Sequence, residues 1–569
     1  MPFTAPVSEF QFLFKHVAGA DALRGTSRFA ETTDDVVHAV LTEAGRLCAE
    51  VLEPMRRPGD TYPARLENGV VRTAPGTADA YAQLAGGGWI SVAAPEAFGG
   101  MGLPVTLQTA LNDMMSASNL GLQTGALLSQ GQIEAIAAHA SDELKARYLP
   151  KLISGAWSAT MNLTEPQAGS DVGALTTRAL PNGDGTYAIT GTKIYITYGD
   201  SDLVDNVIHL VLARLPGAAA GTKGISLFLV PKRLPDAQGN AGAANGVSVS
   251  GVEHKMGLHA TPTCVMEYSG ATGWLVGEEG GGMAAMFTMM NNARLGVACQ
   301  GVGAAEGATQ AALAWALERR QGRTPVGDGA GPIADHADVR RMLAQMKAET
   351  FAARAIALAC AVAIDMETST GAPDWAARAA FLTPIAKAYA TDIGHEVANL
   401  AIQVHGGMGY VEETGVAQFA RDIRVAAIYE GTNGIQAMDL VGRKLSDGGE
   451  AAFRLLDEVQ TGAEAARGTR EALAAPLWQA TENLRESTEW FLDAAPQTRF
   501  AGAVPYLRAF ARVLGAHYHL KASSADESRA PLAAFHIERL LPEHLGLLAQ
   551  ARAGEHGLYA ISTDALAAA

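Results

Sequence analysis

The sequence predicts an α+β multidomain protein: a helical region, a region of short strands, a second helical region and a helical extension. Three observations lead there. Apolar residues recur at three and four positions early in the chain, switch to alternation after about residue 158, and return to helical spacing after about residue 272. Asn182-Gly183-Asp184-Gly185 is a hairpin signal inside the alternating stretch. Gly448-Gly449 interrupts the second helical region, and helical periodicity resumes beyond it. The expected domains are therefore 1–157, 158–272, 273–445 and 446–569.

The bulk numbers fit a large folded protein. At 569 residues and 48% hydrophobic, the chain can bury several cores. A formal charge of −16 argues against a general nucleic-acid binder, which normally carries a basic face. Cys48, Cys264, Cys299 and Cys360 are scattered without a CxxC, so neither zinc nor a disulfide framework is indicated, and a reducing compartment fits. The opening MPFTAPVSEFQFLFKH lacks a basic n-region, and its apolar stretch is broken by Glu9 and Gln11. The longest Ala-rich apolar run, Ala355 to Ile364, is too short to cross a bilayer. A soluble, cytoplasmic protein without membrane or nucleic-acid partners is expected.

In the first region, Val37, Val40, Leu41, Ala44, Leu47 and Val51 mark an amphipathic helix. Helical pattern resumes over Ala78–Ala85, Leu107–Ala117 and Ile133–Tyr148. The Gly- and Pro-rich segment Gly87–Pro104 reads as a loop between helices.

In the middle region, Tyr187–Thr197 alternates, and short β-rich runs follow at His209–Leu215, Ile225–Val230, Val247–Val252 and Val265–Tyr268, which predicts a small antiparallel sheet or barrel. Its entry, MNLTEPQAGSDVG (Met161–Gly173), reads as a loop rich in uncharged donors, suited to a flavin ring edge or a phosphate. His254 and His259 have no ligand partners at metal spacing and read as surface or packing residues.

In the third region, Gly301-Val302-Gly303 and Gly307 have GxGxxxG spacing with no preceding strand, so they indicate close helix packing and not a dinucleotide site. Arg294 interrupts an apolar helix face and calls for a partner. Arg319 and Arg320 close that helix, where cations interact favourably with its C-terminal end by about 0.3–1 kcal/mol. Ala401–Tyr410 ends the next long helix in a glycine turn open to phosphate or ribityl groups.

The most informative stretch is Arg424–Gln436, RVAAIYEGTNGIQ. An apolar run delivers Glu430 to a Gly-Thr-Asn-Gly turn, where Thr432 or Asn433 can cap a helix carrying Ile435, Met438, Val441 and Leu445. Desolvation there would raise the carboxylate's pKa toward the range of a general base.

YEGTNGIQ resembles the catalytic loop of the acyl-CoA dehydrogenase family, and LTEPxAGSD and IYIT resemble its flavin-contacting signatures. The resemblance spans essentially the whole chain. It implies the family's fold, with a helical domain, a β-domain, a four-helix-bundle domain and here an extra helical domain. It also implies FAD as cofactor. Carried over position by position, Met161, Leu163, Thr164, Gly169, Ser170, Tyr195, Ile196 and Thr197 would line the FAD, with Tyr195 standing where the family often has Trp. Thr432 and Asn433 would join them, while Arg319, Gln321, Gln403, Gly406 and Gly407 would reach the FAD of a neighbouring subunit. Ser170, Asn291, Arg294, Tyr429 and Gly431 would meet the acyl-CoA. Asn291 replaces a common Asp, and His259 a usual Arg. The Thr324–Gly331 loop is richer in Gly than the family form. Ala293 cannot serve as the alternative base of a family subset, which leaves Glu430.

The implied reaction is α,β-dehydrogenation of an acyl-CoA to the trans-2-enoyl-CoA. The substrate would be a short- or medium-chain acyl-CoA, or 3-methylthiopropionyl-CoA, because the extension resembles that of larger members including the 3-methylthiopropionyl-CoA type. Electron-transferring flavoprotein is the implied electron acceptor. Sites shared between subunits imply a homo-oligomer, and the extension is expected to favour a dimer over a tetramer. The rivals are an acyl-CoA oxidase using oxygen, a nitroalkane oxidase, which would carry Asp at the base position, and a flavoprotein of this fold that binds DNA or protein, which the net charge disfavours.

Overall fold

The computed structural model describes residues 3–326 and 329–568. Two positions of the Thr324–Gly331 loop, Gly327 and Asp328, lie outside the described residues. The chain forms two compact units, one built on Thr42–Gly296 and the other on Pro6–Leu41 with Val297–Ala569.

The first unit joins helices to a sheet. Its dominant helix, Val105–His139, is buried along nearly its whole length. At Asn119 the backbone leaves helical geometry (φ −155°, ψ 89°), and the side chain takes over: Nδ2 donates to Leu52 O at 3.0 Å, and Oδ1 accepts from Leu122 N at 3.1 Å. Asn119 thus caps the second half, and the expected stretch Ile133–Tyr148 spans the end of this helix and the start of the next. Helix Asp142–Ile153 follows with Ser141 at its N-cap. Leu128, Ile136, Tyr148, Leu149 and Leu152 pack with Leu210, Leu227 and Leu229 from the sheet.

A small hairpin, β1 (Arg65–Glu67) and β2 (Val70–Arg72), precedes the main sheet. The others are β3 (Ser158–Asn162), β4 (Arg178–Pro181), β5 (Tyr187–Thr197), β6 (Val207–Arg214), β7 (Ile225–Pro231), the short pair β8 (Arg233–Pro235) and β9 (Ala241–Ala244), β10 (Val247–Val252) and β11 (Thr263–Val276). Pairing runs β10-β11-β5-β4-β6-β3, and β7 joins β11 to β6, closing β11-β5-β4-β6-β7 into a small barrel. The expectation of an antiparallel sheet needs one correction: β3 and β4 both run parallel to β6. β3 reaches β6 after a long excursion and not through a hairpin, so no turn dictates its direction.

The second unit is helical. Helices Ala337–Thr370 and Pro373–His405 pair through Gly371, whose φ of +66° ends the first, and Pro373 starts the second. The later part of helix Gly282–Glu318 crosses Pro373–His405 at Gly301 and Gly394. A Cβ on Gly301 would lie 2.1 Å from Ala390 O, and one on Gly394 would lie 2.6 Å from Gly301 O. Close packing is therefore what those glycines provide.

The extension is continuous with this bundle. Helix Pro496–Ala525 brings Phe510 to within 5.1 Å of Phe381, ring to ring. It also brings Arg512 to Glu349 (2.6 Å), which accepts from Tyr389 Oη at 2.6 Å, all three residues buried. The first helix, Val7–His16, joins the same unit: Glu9 pairs with Arg529 at 2.7 Å, and Lys521 Nζ donates to Val17 O at 2.7 Å. Of the residues expected as domain 1–157, Pro6–Leu41 lies in the same compact unit as Val297–Ala569. From Val297 onward, the residues expected as domains 273–445 and 446–569 lie in that one unit. Apolar periodicity names a helix's buried face but not the partner that covers it.

Candidate functional site

The sheet unit supplies the first group of residues. β3 runs into the loop beginning at Leu163, and the loop is pinned by a carboxylate that sequence reading left without a role. Glu165, 2% exposed, accepts from the backbone N–H and hydroxyl of both Thr176 and Thr177 and from Lys193 Nζ at 2.9 Å. Burial alone would raise the Glu165 pKa; the Lys193 ammonium and the threonine donors outweigh it and hold the group well below the usual carboxylate range. Burial in turn brings Lys193 down to about 8 against the pull of Glu165. Lys193 also donates to Leu163 O at 2.9 Å, and Ile194 N donates to Thr164 O at 2.9 Å. The loop and β5 are thereby fixed to each other.

Immediately after Lys193 the ladder is irregular. Opposite β11 the register steps from Cys264↔Ile196 to Met266↔Lys193, leaving Ile194 and Tyr195 against Val265 alone. This is a β-bulge, and Tyr195 sits in it with φ +58° and 61% of its surface exposed. A left-handed aromatic residue offered to solvent is unfavourable on both counts, which marks a binding surface. Ile196 turns the other way into the barrel core, so only its backbone can face a ligand. Thr197 O accepts from Thr160 Oγ1 at 2.7 Å. Met161 and Leu163 are half-buried at the core's edge, Thr164 is half-buried, and Gly169 and Ser170 are exposed. A Cβ on Gly169 would meet nothing within 4 Å, so the backbone there is open to approach.

On helix Gly282–Glu318, Arg294 is 6% exposed and Asn291 is exposed one turn before it. Arg294 donates to Asn291 Oδ1 at 3.3 Å, and its guanidinium lies 5.9 Å from the Phe287 ring. The partner that a buried Arg requires thus includes the residue replacing the family's Asp.

The helical unit supplies the rest. Glu430 has φ +56° and Gly431 φ +81°, a left-handed pair between the 3₁₀ turn Arg424–Ala427 and helix Asn433–Asp439. Thr432 is the N-cap of that helix, its Oγ1 accepting from Ile435 N at 3.2 Å. The backbone of the pair is held by side chains: Gln436 Nε2 donates to Glu430 O (3.2 Å) and Gly431 O (3.4 Å), and Lys387 Nζ donates to Gly431 O at 2.9 Å. Tyr429 donates its hydroxyl to Gln300 Oε1. Burial, then the neighbouring Glu430 charge, pushes its phenol pKa well up, so it stays protonated.

Asn433, expected at the cofactor, is also bonded within the fold. Its Oδ1 accepts from Lys387 at 2.9 Å, and its Nδ2 donates to Asp392 Oδ1 at 2.7 Å and Thr391 Oγ1 at 3.0 Å. Both ends of the amide are engaged inside the fold, because helix Pro373–His405 lines up Lys387, Thr391 and Asp392 beside it. Lys387 itself was missed, although a lone cation in the apolar run Ile385–Ala390 is a visible signal.

Gln403, Gly406 and Gly407 are exposed, with Gly406 at φ +62° and open space around both glycines. Arg319 and Gln321 are also exposed, 3.3 Å apart through Nη2 and Oε1. His259 is a packing histidine, 2.9 Å from Asp60 Oδ1. Among the described residues no group of three or more His, Cys, Asp or Glu could hold a metal ion.

Family models match in order along the chain: acyl-CoA dehydrogenase N-terminal domain at residues 39–156, middle domain at 160–271 and C-terminal domain at 280–445, then acetyl-CoA dehydrogenase C-terminal like at 455–562. The 3-methylmercaptopropionyl-CoA dehydrogenase of Ruegeria pomeroyi is 44% identical over 521 residues, covering 89% of this chain and 88% of that protein. The chain belongs to the acyl-CoA dehydrogenase family. It is an oxidoreductase that uses FAD, as the family does. Two solved structures share the fold: Caenorhabditis elegans ACDH-11 in complex with C11-CoA (TM-score 0.80, 21% identity, 95% of this chain and 92% of that one) and a Bacillus anthracis acyl-CoA dehydrogenase complexed with FAD (TM-score 0.73, 21% identity, 94% and 90%). No helix among the described residues is long and apolar enough to cross a membrane.

The residues present fit a flavin. An exposed aromatic on a bulge, uncharged Thr and Ser donors and glycine backbone open on its outer side are a donor set for a ring system and a phosphate chain.

Proposed function

We propose that this protein dehydrogenates a small acyl-CoA, 3-methylthiopropionyl-CoA or a short- to medium-chain acyl-CoA of similar size, with Glu430 as the base that removes the α-proton. The observation that carries the reading is the left-handed Glu430-Gly431 pair, unfavourable at Glu430 and held in place by buried side chains. The similarity to the Ruegeria pomeroyi protein supports the substrate class.

When bound, FAD supplies the acceptor for the β-hydride. Tyr195 offers an aromatic surface for it, and Met161, Leu163, Thr164, Gly169, Ser170, Thr197 and the backbone of Ile196 surround that surface. An α-proton is only weakly acidic, so donors must stabilise the thioester oxygen as the proton leaves. The backbone N–H of Glu430 suits that task. Arg294, Asn291 and Ser170 orient the CoA thioester, and Tyr429 and Gly431 flank the base.

Arg319, Gln321, Gln403, Gly406 and Gly407 complete the FAD site of a second copy, giving a homodimer. Supporting this, Met408, Tyr410 and Val411 are exposed beside Gly406 and Gly407, with Tyr410 90% exposed. Electron-transferring flavoprotein takes the electrons onward. A cytoplasmic location suits four buried free thiols.

The test is an anaerobic titration of the flavin absorbance with butyryl-, octanoyl-, palmitoyl- and 3-methylthiopropionyl-CoA, followed by air. Bleaching by one of the small thioesters with slow recovery is expected; rapid recovery with peroxide would make the protein an oxidase. Glu430→Gln should keep FAD and acyl-CoA binding and lose most turnover, and near-native rates would refute the base assignment.

A further inference from the structure

We propose that Lys387 and Gln436 are positioning residues for the α-proton transfer, clamping the carbonyls of Glu430 and Gly431 so that the base is aimed. The inference rests on the reading of Glu430 as the base.

A left-handed residue pair lies outside both helix and strand ladders, so its carbonyls need other donors. Here side chains provide them, from two different directions. Gln436 reaches back from one turn into the following helix, and Lys387 reaches across from helix Pro373–His405. Together they fix consecutive peptide planes, which determines the Glu430 backbone and hence where its side chain starts.

Both residues are placed there at a cost in desolvation. Lys387 is 0% exposed, and burying an ammonium is strongly unfavourable unless it is paired and hydrogen-bonded. Its compensation is a relay: Lys387 donates to Asn433 Oδ1, and Asn433 Nδ2 donates to Asp392. An amide thus lies between a buried cation and a carboxylate, and all three residues adjoin the catalytic turn. Gln436 is also 0% exposed, and its Oε1 has no hydrogen-bond partner among the described residues. The NH₂ of the amide serves the two carbonyls.

A purely structural role would affect folding and FAD retention together with rate. A positioning role separates them, because misplacing a base by about 1 Å can lower the rate roughly 100-fold without loss of binding. The experiment uses the full-length FAD-loaded protein carrying Lys387→Met, Lys387→Arg, Gln436→Leu or Glu430→Gln. FAD content, KM and kcat are measured with the best acyl-CoA. Deuterium uptake from D₂O into acetyl-CoA is measured by mass spectrometry. Acetyl-CoA has α-hydrogens and no β-carbon, so its exchange reports proton removal without hydride transfer.

The expected result is FAD content and KM within about twofold of the parent, with kcat and deuterium uptake both reduced about tenfold or more in Lys387→Met. A smaller reduction is expected in Gln436→Leu, and partial recovery in Lys387→Arg. If Lys387→Met does not fold, Gln436→Leu decides. Parental exchange in the soluble Lys387 and Gln436 variants, alongside lost exchange in Glu430→Gln, would overturn the positioning role and leave the base assignment standing. Loss of FAD in proportion to rate would also overturn it. Parental exchange in Glu430→Gln would overturn the base assignment itself.

Discussion

Lys193 Nζ lies 2.9 Å from Glu165 Oε1, and neither side chain reaches solvent beyond 2%. The pair ties the loop that begins at Leu163 to the strand that carries Tyr195. Removing one partner leaves a buried charge uncompensated, so Glu165→Gln should destabilise the fold by about 3–5 kcal/mol. Glu165→Gln/Lys193→Met should recover much of that loss. Chemical denaturation of both variants measures the difference.

The same pair gives acid sensitivity. Glu165 has a folded pKa below its unfolded value, so its stabilisation is present above about pH 4.5 and is lost as pH falls through the lower folded value. Denaturant midpoints between pH 5 and 3 should fall steeply in the parent and less steeply in Glu165→Gln/Lys193→Met.

Tyr195 predicts a trade between stability and binding. Its φ is +58°. That conformation costs on the order of 1 kcal/mol in an L-residue, which glycine does not incur. Tyr195→Gly should therefore leave the melting temperature unchanged or higher while FAD binds more weakly. Apoprotein melting and flavin titration separate the two effects.

At the helix crossing there is no room for a side chain. Gly301→Val would drive a Cβ against the Ala390 carbonyl, and backbone on both helices would have to move. A loss of more than about 3 kcal/mol, or insoluble protein, is expected, and thermal unfolding checks it.

Two buried histidines in the extension add to the acid sensitivity. Burial lowers His519 to about 4 and His536 well below its ordinary value. The unfolded chain binds protons that the folded one cannot, so this stability is complete above about pH 6.5 and declines toward pH 4. Neither ring nitrogen of His536 has a hydrogen-bond partner among the described residues. His536→Leu should be neutral or stabilising by about 1 kcal/mol at pH 6 and should flatten the decline, as melting temperature against pH would reveal.

Much of this was legible in the sequence because it is local. The hairpin at Asn182–Gly185, the cap at Thr432 and the glycine crossing each depend on residues within a few positions or on a steric property of glycine. What was not legible depends on distant partners. Asn433 occupies a motif position expected to meet cofactor, and the hydrogen bonds of its amide to Lys387 and Asp392, over forty residues away, are not written in that motif. Glu165 stands in a quoted motif and Lys193 in the alternating run Tyr187–Thr197, but their mutual burial follows from how β5 returns past the loop. The continuation of helix Val105–His139 beyond Ala117 was not legible either, because Asn119 carries the chain through a kink with hydrogen bonds to Leu52 and Leu122.

The ion pair of Glu9 with Arg529 bears on how the protein is made. The two residues are 520 positions apart, and Lys521 reaches Val17 over a similar span. On the ribosome, Val7–His16 emerges long before Arg529 and Lys521, and its apolar face, with Phe10 fully buried in the finished protein, must wait for them. The unit on Thr42–Gly296 has all its strands in hand long before then and can fold during synthesis. The helical unit closes only after release of its last helices, so its assembly is the late step. The waiting N-terminal helix is then the segment that a chaperone would find exposed.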